Sequence, residues 1–171
     1  NVSTLQQVIN VQDVEDPVWT SAMPDTIYGV TNPFNCQGQI LLVVDNIKLT
    51  DNCAAFANLA VTFQGTNGSS GTLNASGQYP IGETTLFFTA TDPCGNHSFK
   101  EVVIIIEDKT PPTAVCVNSI TLPLNPQGDL VIPAFIVDNG SYDNCLTPFS
   151  TNEVTLDVFP DTFDCDDAAL Y

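Results

Sequence analysis

Displaced by 95 residues, the chain falls on itself. Asn1–Pro17 lies over Asn96–Pro112 without a gap, matching Asn1 with Asn96, Ser3 with Ser98, Val8 with Val103, Ile9 with Ile104, Asp13 with Asp108 and Pro17 with Pro112. A second match sets Asp51-Asn52-Cys53 over Asp143-Asn144-Cys145 at an offset of 92, so the copies differ by a loop-sized deletion. Self-similarity at a fixed spacing means that one supersecondary unit is built more than once. The frame gives three parts. Residues 1–12 are expected to be the last strand of a preceding repeat and residues 13–107 one complete repeat. Residues 108–171 are expected to be a partial second repeat, with no counterpart of roughly Pro80 onward.

Within the repeats the strand signal dominates. Gln39–Val44, Leu59–Phe63, Thr84–Thr91, Val102–Ile106, Ser119–Leu124 and Leu130–Val137 are short β-branched and aromatic runs bounded by Gly, Pro, Asn and Asp. No segment sustains a helical period, and twelve prolines with ten glycines punctuate the whole length. The pattern predicts an all-β chain of short strands in a sandwich, with Pro133 marking an edge or a bulge.

Charge narrows the function. Twenty Asp and Glu face three Lys (Lys48, Lys100 and Lys109) and no Arg, a formal net charge of −17. Nucleic-acid binding needs a basic footprint that three lysines cannot supply. Anionic membranes would repel such a chain, and phosphoryl transfer would lack its cationic clamps. Disorder is excluded by ten Phe, four Tyr and one Trp among many Val, Ile and Thr. No 18-residue apolar run offers a membrane span.

The motifs come in a fixed order: Asp51-Asn52-Cys53, Tyr79-Pro80-Ile81-Gly82, Thr89-Ala90-Thr91-Asp92-Pro93-Cys94-Gly95-Asn96, then Asp108-Lys109-Thr110-Pro111-Pro112. In this they resemble the hyalin-repeat (HYR) family, a variant of the immunoglobulin-like sandwich found in extracellular proteins. The second copy, through Asp138-Asn139-Gly140-Ser141-Tyr142-Asp143-Asn144-Cys145 and Thr162-Phe163-Asp164-Cys165, is similar to the tandem repeats of large surface adhesins of gliding Bacteroidetes. The resemblance implies tandem immunoglobulin-like β-sandwiches at the cell surface, in an adhesive or spacer role without enzymatic activity.

Six cysteines beside a single His, with no Cys-x-x-Cys pair, do not read as a zinc site. They point to an oxidising compartment. In an immunoglobulin-like strand order, Cys53 and Cys94 follow strands that end on the same side, so Cys53–Cys94 is an expected disulfide, with Cys36–Cys53 as the alternative. Cys145–Cys165 is the expected pair of the second repeat. Cys36 and Cys116 then have no assigned partner.

Acidic residues gather at the turns and the linkers. Asp13, Asp16, Asp51 and Asp92 are candidate Ca²⁺ ligands in the first repeat, and Asp108, Asp138 and Asp143 in the second. Ca²⁺ takes six to eight oxygens, and a linker with two loops converging on one end can offer them. The competing account is local: Asp and Asn are turn formers because their side chains bond back to nearby backbone.

No catalytic residue is assigned. A serine triad would have to use His97, and no nucleophile-elbow motif accompanies it. The expected function is therefore a non-enzymatic extracellular repeat module of an adhesin or filament, stiffened by disulfides and Ca²⁺. Its expected partners are neighbouring repeats or other copies of the chain, with surface glycans or proteins as possible ligands. Two alternatives stand beside this reading: a filament subunit assembled by strand complementation, and a carbohydrate-binding module.

Overall fold

The computed structural model describes residues 4–145 and 154–167. Its described part is mostly strand with almost no helix, arranged in several sheets of which none closes. Two compact units divide the chain: Asn1–Asn32 with Gln37–Glu107, and Pro33–Cys36 with Asp108–Tyr171.

The first unit is built around a long hairpin, β8 (Gly82–Thr91) and β9 (His97–Glu107). In β8, Thr84, Leu86, Phe88 and Ala90 are buried while Phe87 is exposed, the period of two that a strand with one face on a core requires. In β9, Val102, Ile104 and Ile106 are buried to the same degree. Strands β5 (Ala60–Gly65) and β6 (Ser70–Gly71) extend the sheet on the β8 side, and β2 (Thr26–Val30) lies on the other, giving the order β2-β9-β8-β5-β6. β2 runs parallel to β9, in a register from Thr26 opposite Val103 to Val30 opposite Glu107. The remaining pairings are antiparallel.

Two short pairs complete this unit. β3 (Gln37–Ile40) pairs with β7 (Gly77–Pro80), and β1 (Val18–Trp19) with β4 (Leu49–Thr50). Ile40, Leu42, Val44, Leu49 and Tyr79 from this side share one core with Val61, Phe63, Leu86, Phe88, Val102 and Ile104 from the five-stranded sheet. The glycines of β2 and β3 let the layers close. A Cβ on Gly29 would come within 2.7 Å of Ile106 Cδ1.

The second unit is lightly packed. Two-residue strands β10 (Leu130–Val131) and β11 (Thr162–Phe163) pair, and isolated bridges join Thr113 to Tyr142 and Cys116 to Asp138. Among its described residues only Ile132 and Cys145 are buried hydrophobics.

Four expected strands differ here. Gln39–Val44 is strand only to Ile40, with Val43 forming an isolated bridge to Asn74. Leu130–Val137 is strand only at Leu130–Val131, because Pro133 starts a helical turn, α1 (Ala134–Val137), in which Ile136 N donates to Pro133 O and Asp138 N to Ala134 O. Proline at the start of a helical turn loses no hydrogen bond, whereas inside a strand it removes a ladder donor. Ser119–Leu124 forms no strand because its backbone has no hydrogen-bonding neighbour among the described residues. Residues 4–12 likewise form no strand, and their apolar side chains are open to solvent: Leu5, Val8, Ile9 and Val11 are 73–99% exposed.

Candidate functional site

The turn between β8 and β9 sets the site. Gly95, at φ 96°, turns the backbone so that Asp92 N donates to Asn96 O at 3.0 Å. The Asp92 side chain then folds beneath its own turn. Its Oδ1 accepts from Asn96 N and its Oδ2 from Asn96 Nδ2, each at 2.8 Å, and only 5% of the residue is exposed. Burial alone would raise this carboxyl. Hydrogen bonds from the Asn96 side chain and from the Asn96, Gly95 and Cys94 backbone outweigh it and hold the group below its ordinary range.

The preceding linker is laced onto this turn and onto the Asp51 turn. Asp16 Oδ1 accepts from His97 N at 3.1 Å, and Asp13 O accepts from Asn96 Nδ2 at 3.3 Å. Glu15 Oε2 accepts from Asn52 Nδ2 at 3.0 Å. Asp51 spends one oxygen on its own turn, accepting from Cys53 N and Ala54 N at 3.0 and 2.6 Å. Its other oxygen is buried and accepts no hydrogen bond.

Asp13, Asp92 and Cys94 come together, one donor atom of each lying within 4.8 Å of the others. Cys53 belongs to the same neighbourhood. The Asp13 carboxylate, then burial, a hydrogen bond to Asp13, and the charges of Asp51 and Cys94 push its thiol up from the ordinary value. All of these oppose the thiolate, so alkylation of Cys53 should lag behind that of a free cysteine until the pH rises further. Asp13→Asn removes the largest contribution. It should speed iodoacetamide labelling of Cys53 a few-fold near pH 8, read by peptide mass spectrometry. An unchanged rate would separate Cys53 from Asp13.

The expected ligands are therefore distributed unevenly. Asp13 and Asp92 meet; Asp16 is engaged by the His97 amide; Asp51 caps its own turn while keeping one buried oxygen open. In the second unit Asp108 accepts from Thr110 N, Asp138 from Gly140 N and Ser141 N, and Asp143 from Cys145 N. Each caps its own turn, and no donor cluster forms there among the described residues. Cys94 was not foreseen as a donor. The available signal was its position two residues after Asp92, on the same tight turn.

The cysteine pairing is corrected. Cys36 bonds to Cys145, with Cα atoms 5.3 Å apart, in place of Cys145–Cys165. The expected pairs Cys53–Cys94 and Cys145–Cys165 join cysteines within one repeat and leave Cys36 without a partner. In the structure residues 33–36 pack with the second unit, where Asn144 Nδ2 donates to Pro33 O at 3.2 Å. Cys165 is an exposed thiol, its Sγ 3.8 Å from Gly128 O. Cys53 and Cys94, expected as a disulfide, are both thiols. The carboxylate of Asp13 beside them favours the protonated form of Cys53, which is the unreactive one.

His97 is exposed, and its ring meets Phe99 edge-on at 5.4 Å, with Nδ1 3.5 Å from Gly95 O. Among the described residues no serine hydroxyl is its partner. No helix of the described residues is long and apolar enough to cross a membrane. No protein-family model, curated protein or solved structure matches this chain.

Proposed function

We propose that the chain is a non-enzymatic structural and adhesive module of an extracellular protein, made of tandem immunoglobulin-like β-sandwich repeats. The observation that carries this reading is the lacing of the linker residues Asp13–Asp16 onto two separate turns, through the contacts to Asn96, His97 and Asn52. A linker held at three points fixes how the chain enters the domain, as a spacer built from repeats requires. The shared core of the two facing strand groups supports the sandwich, and the Cys36–Cys145 disulfide supports an oxidising location outside the cell.

Calcium is proposed as the ion of the Asp13–Asp92 site. The two carboxylates are hard donors, and water would complete the six to eight oxygens that Ca²⁺ takes. The Cys94 thiol in the same cluster favours a softer ion such as Zn²⁺, so the two metals must be compared. Millimolar Ca²⁺ is expected to raise the melting temperature of the first unit and EDTA to reverse it, with Asp92→Asn abolishing the shift. At a hundredfold excess over Kd the gain is about 2.7 kcal/mol. If EDTA and Ca²⁺ leave the melting curve unmoved while Zn²⁺ raises it, calcium is the wrong ion. If neither metal acts, the cluster is a turn-forming one.

A further inference from the structure

We infer that the outer face of the five-stranded sheet carries a groove for a neutral oligosaccharide, floored by Phe87 and rimmed by hydroxyl and amide side chains. This goes beyond the spacer reading and holds whether or not the Asp13–Asp92 site takes an ion.

The groove follows from the strand register. Gln64 of β5 stands opposite Phe87 of β8, and Thr62 opposite Thr89. On the other side of β5, Ser70 of β6 stands opposite Gln64. Alternation along each strand turns these side chains away from the core, and Phe87 is 51% exposed. Gly71 keeps β6 close to the sheet, since a Cβ there would come within 2.8 Å of the Phe63 ring. Ser70 and Thr72, on either side of it, line the groove with Thr62, Gln64, Phe87 and Thr89. Its volume is about 580 Å³, within the range of ligand clefts. The rim is fixed before any ligand arrives. Gly65 N donates to Ser69 O at 2.8 Å and Thr66 N to Thr85 O at 3.0 Å, while Asn67 Oδ1 accepts from Ser69 N at 3.0 Å.

The lining selects the ligand. The side chains of Thr62, Gln64, Ser70, Thr72 and Thr89 hydrogen-bond to no other described residue, so all five are open to a ligand. Each of them both donates and accepts, and the Phe87 ring offers a negative face to C–H groups. No charged side chain lines the groove, although the chain stands at −17. The exposed Glu101, opposite Phe87, would repel an anion. A lipid or an apolar peptide would strip water from the five polar groups without replacing their hydrogen bonds. Nor could a peptide add as a strand, because the floor is a sheet face and backbone donors lie in the plane of the sheet. A neutral sugar meets both demands, with hydroxyls around its edge and C–H groups on its faces.

The test titrates the 171-residue chain with linear hexasaccharides of glucose, of xylose and of mannose, and with polygalacturonate as the anionic comparison. Amide NMR shifts should move at residues 62–64, 70–72 and 87–89, saturating with a Kd of about 1 mM or below for at least one neutral hexasaccharide. Phe87→Ala should weaken that binding about tenfold through the loss of one stacked ring. Gln64→Ala should weaken it a few-fold, and keeps the test open should Phe87→Ala fail to fold. Tyr28→Ala, on the edge strand β2 outside the groove, should leave it unchanged. The proposal is overturned if none of the three hexasaccharides binds at its highest soluble concentration, or if binding survives both groove substitutions. Polygalacturonate binding as tightly as the neutral sugars overturns it as well. Shifts at the same residues that grow with protein concentration alone would also sink it, assigning the face to a second copy of the chain.

Discussion

Cys36→Ser is expected to lower the stability of the second unit by about 4 kcal/mol, within the range of 2–5 kcal/mol seen when a native disulfide is removed. The bond spans 109 residues, and a long closed loop restricts the unfolded chain most. The loss falls on the unit least able to absorb it, since Ile132 and Cys145 are its buried hydrophobics among the described residues. The chain's single tryptophan, Trp19, sits in the first unit and reports its unfolding separately. Trp19 fluorescence should therefore keep its denaturation midpoint in Cys36→Ser, while hydrogen exchange across residues 108–145 accelerates. Equal exchange in the two proteins would show that the disulfide is incidental to that unit.

Phe88→Ala is expected to cost the first unit about 3–5 kcal/mol. Phe88 is 1% exposed, and its ring centroid lies 5.4 Å from Phe63 and 6.0 Å from Trp19, edge-on to the latter. Truncation leaves a cavity between two rings whose neighbours, Leu86 and Val61, are themselves fixed in strands. The adjacent Phe87 is 51% exposed on the opposite face, so Phe87→Ala should change stability by no more than about 0.5 kcal/mol. Urea denaturation followed by Trp19 fluorescence measures both. Comparable losses at the two positions would mean that the alternation along β8 does not set the core.

The strands that could be read from residues alone were those whose alternation matched a buried face. Thr84–Thr91 and Val102–Ile106 lie within β8 and β9 because every second side chain had a core to enter. Leu130–Val137 was just as apolar, and one proline diverted it into a helical turn. Apolar content selects burial, while the backbone donor count selects the element. Asp13 and Asp92 could be placed together because both flank a junction, yet Asp51, Asp138 and Asp143 bond to their own turns. Composition cannot separate a convergent carboxylate from a local one, since the same short side chain serves both. The Cys36–Cys145 bond was out of reach for a different reason. It joins residues 109 positions apart that the expected boundaries assign to different repeats, while the fold packs Pro33–Cys36 into the second unit.

That bond also sets how the chain would carry tension. A pull applied at the two ends travels along residues 1–36, crosses the disulfide, and leaves through residues 145–171. Residues 37–144 lie outside that covalent path. At about 3.4 Å per extended residue, roughly 360 Å of contour is held back from stretching while the bond is intact. Reduction would return that length to the load path and place β3 through β10 and α1 under force. The covalent length between the two ends is therefore shorter with the disulfide closed than with it open.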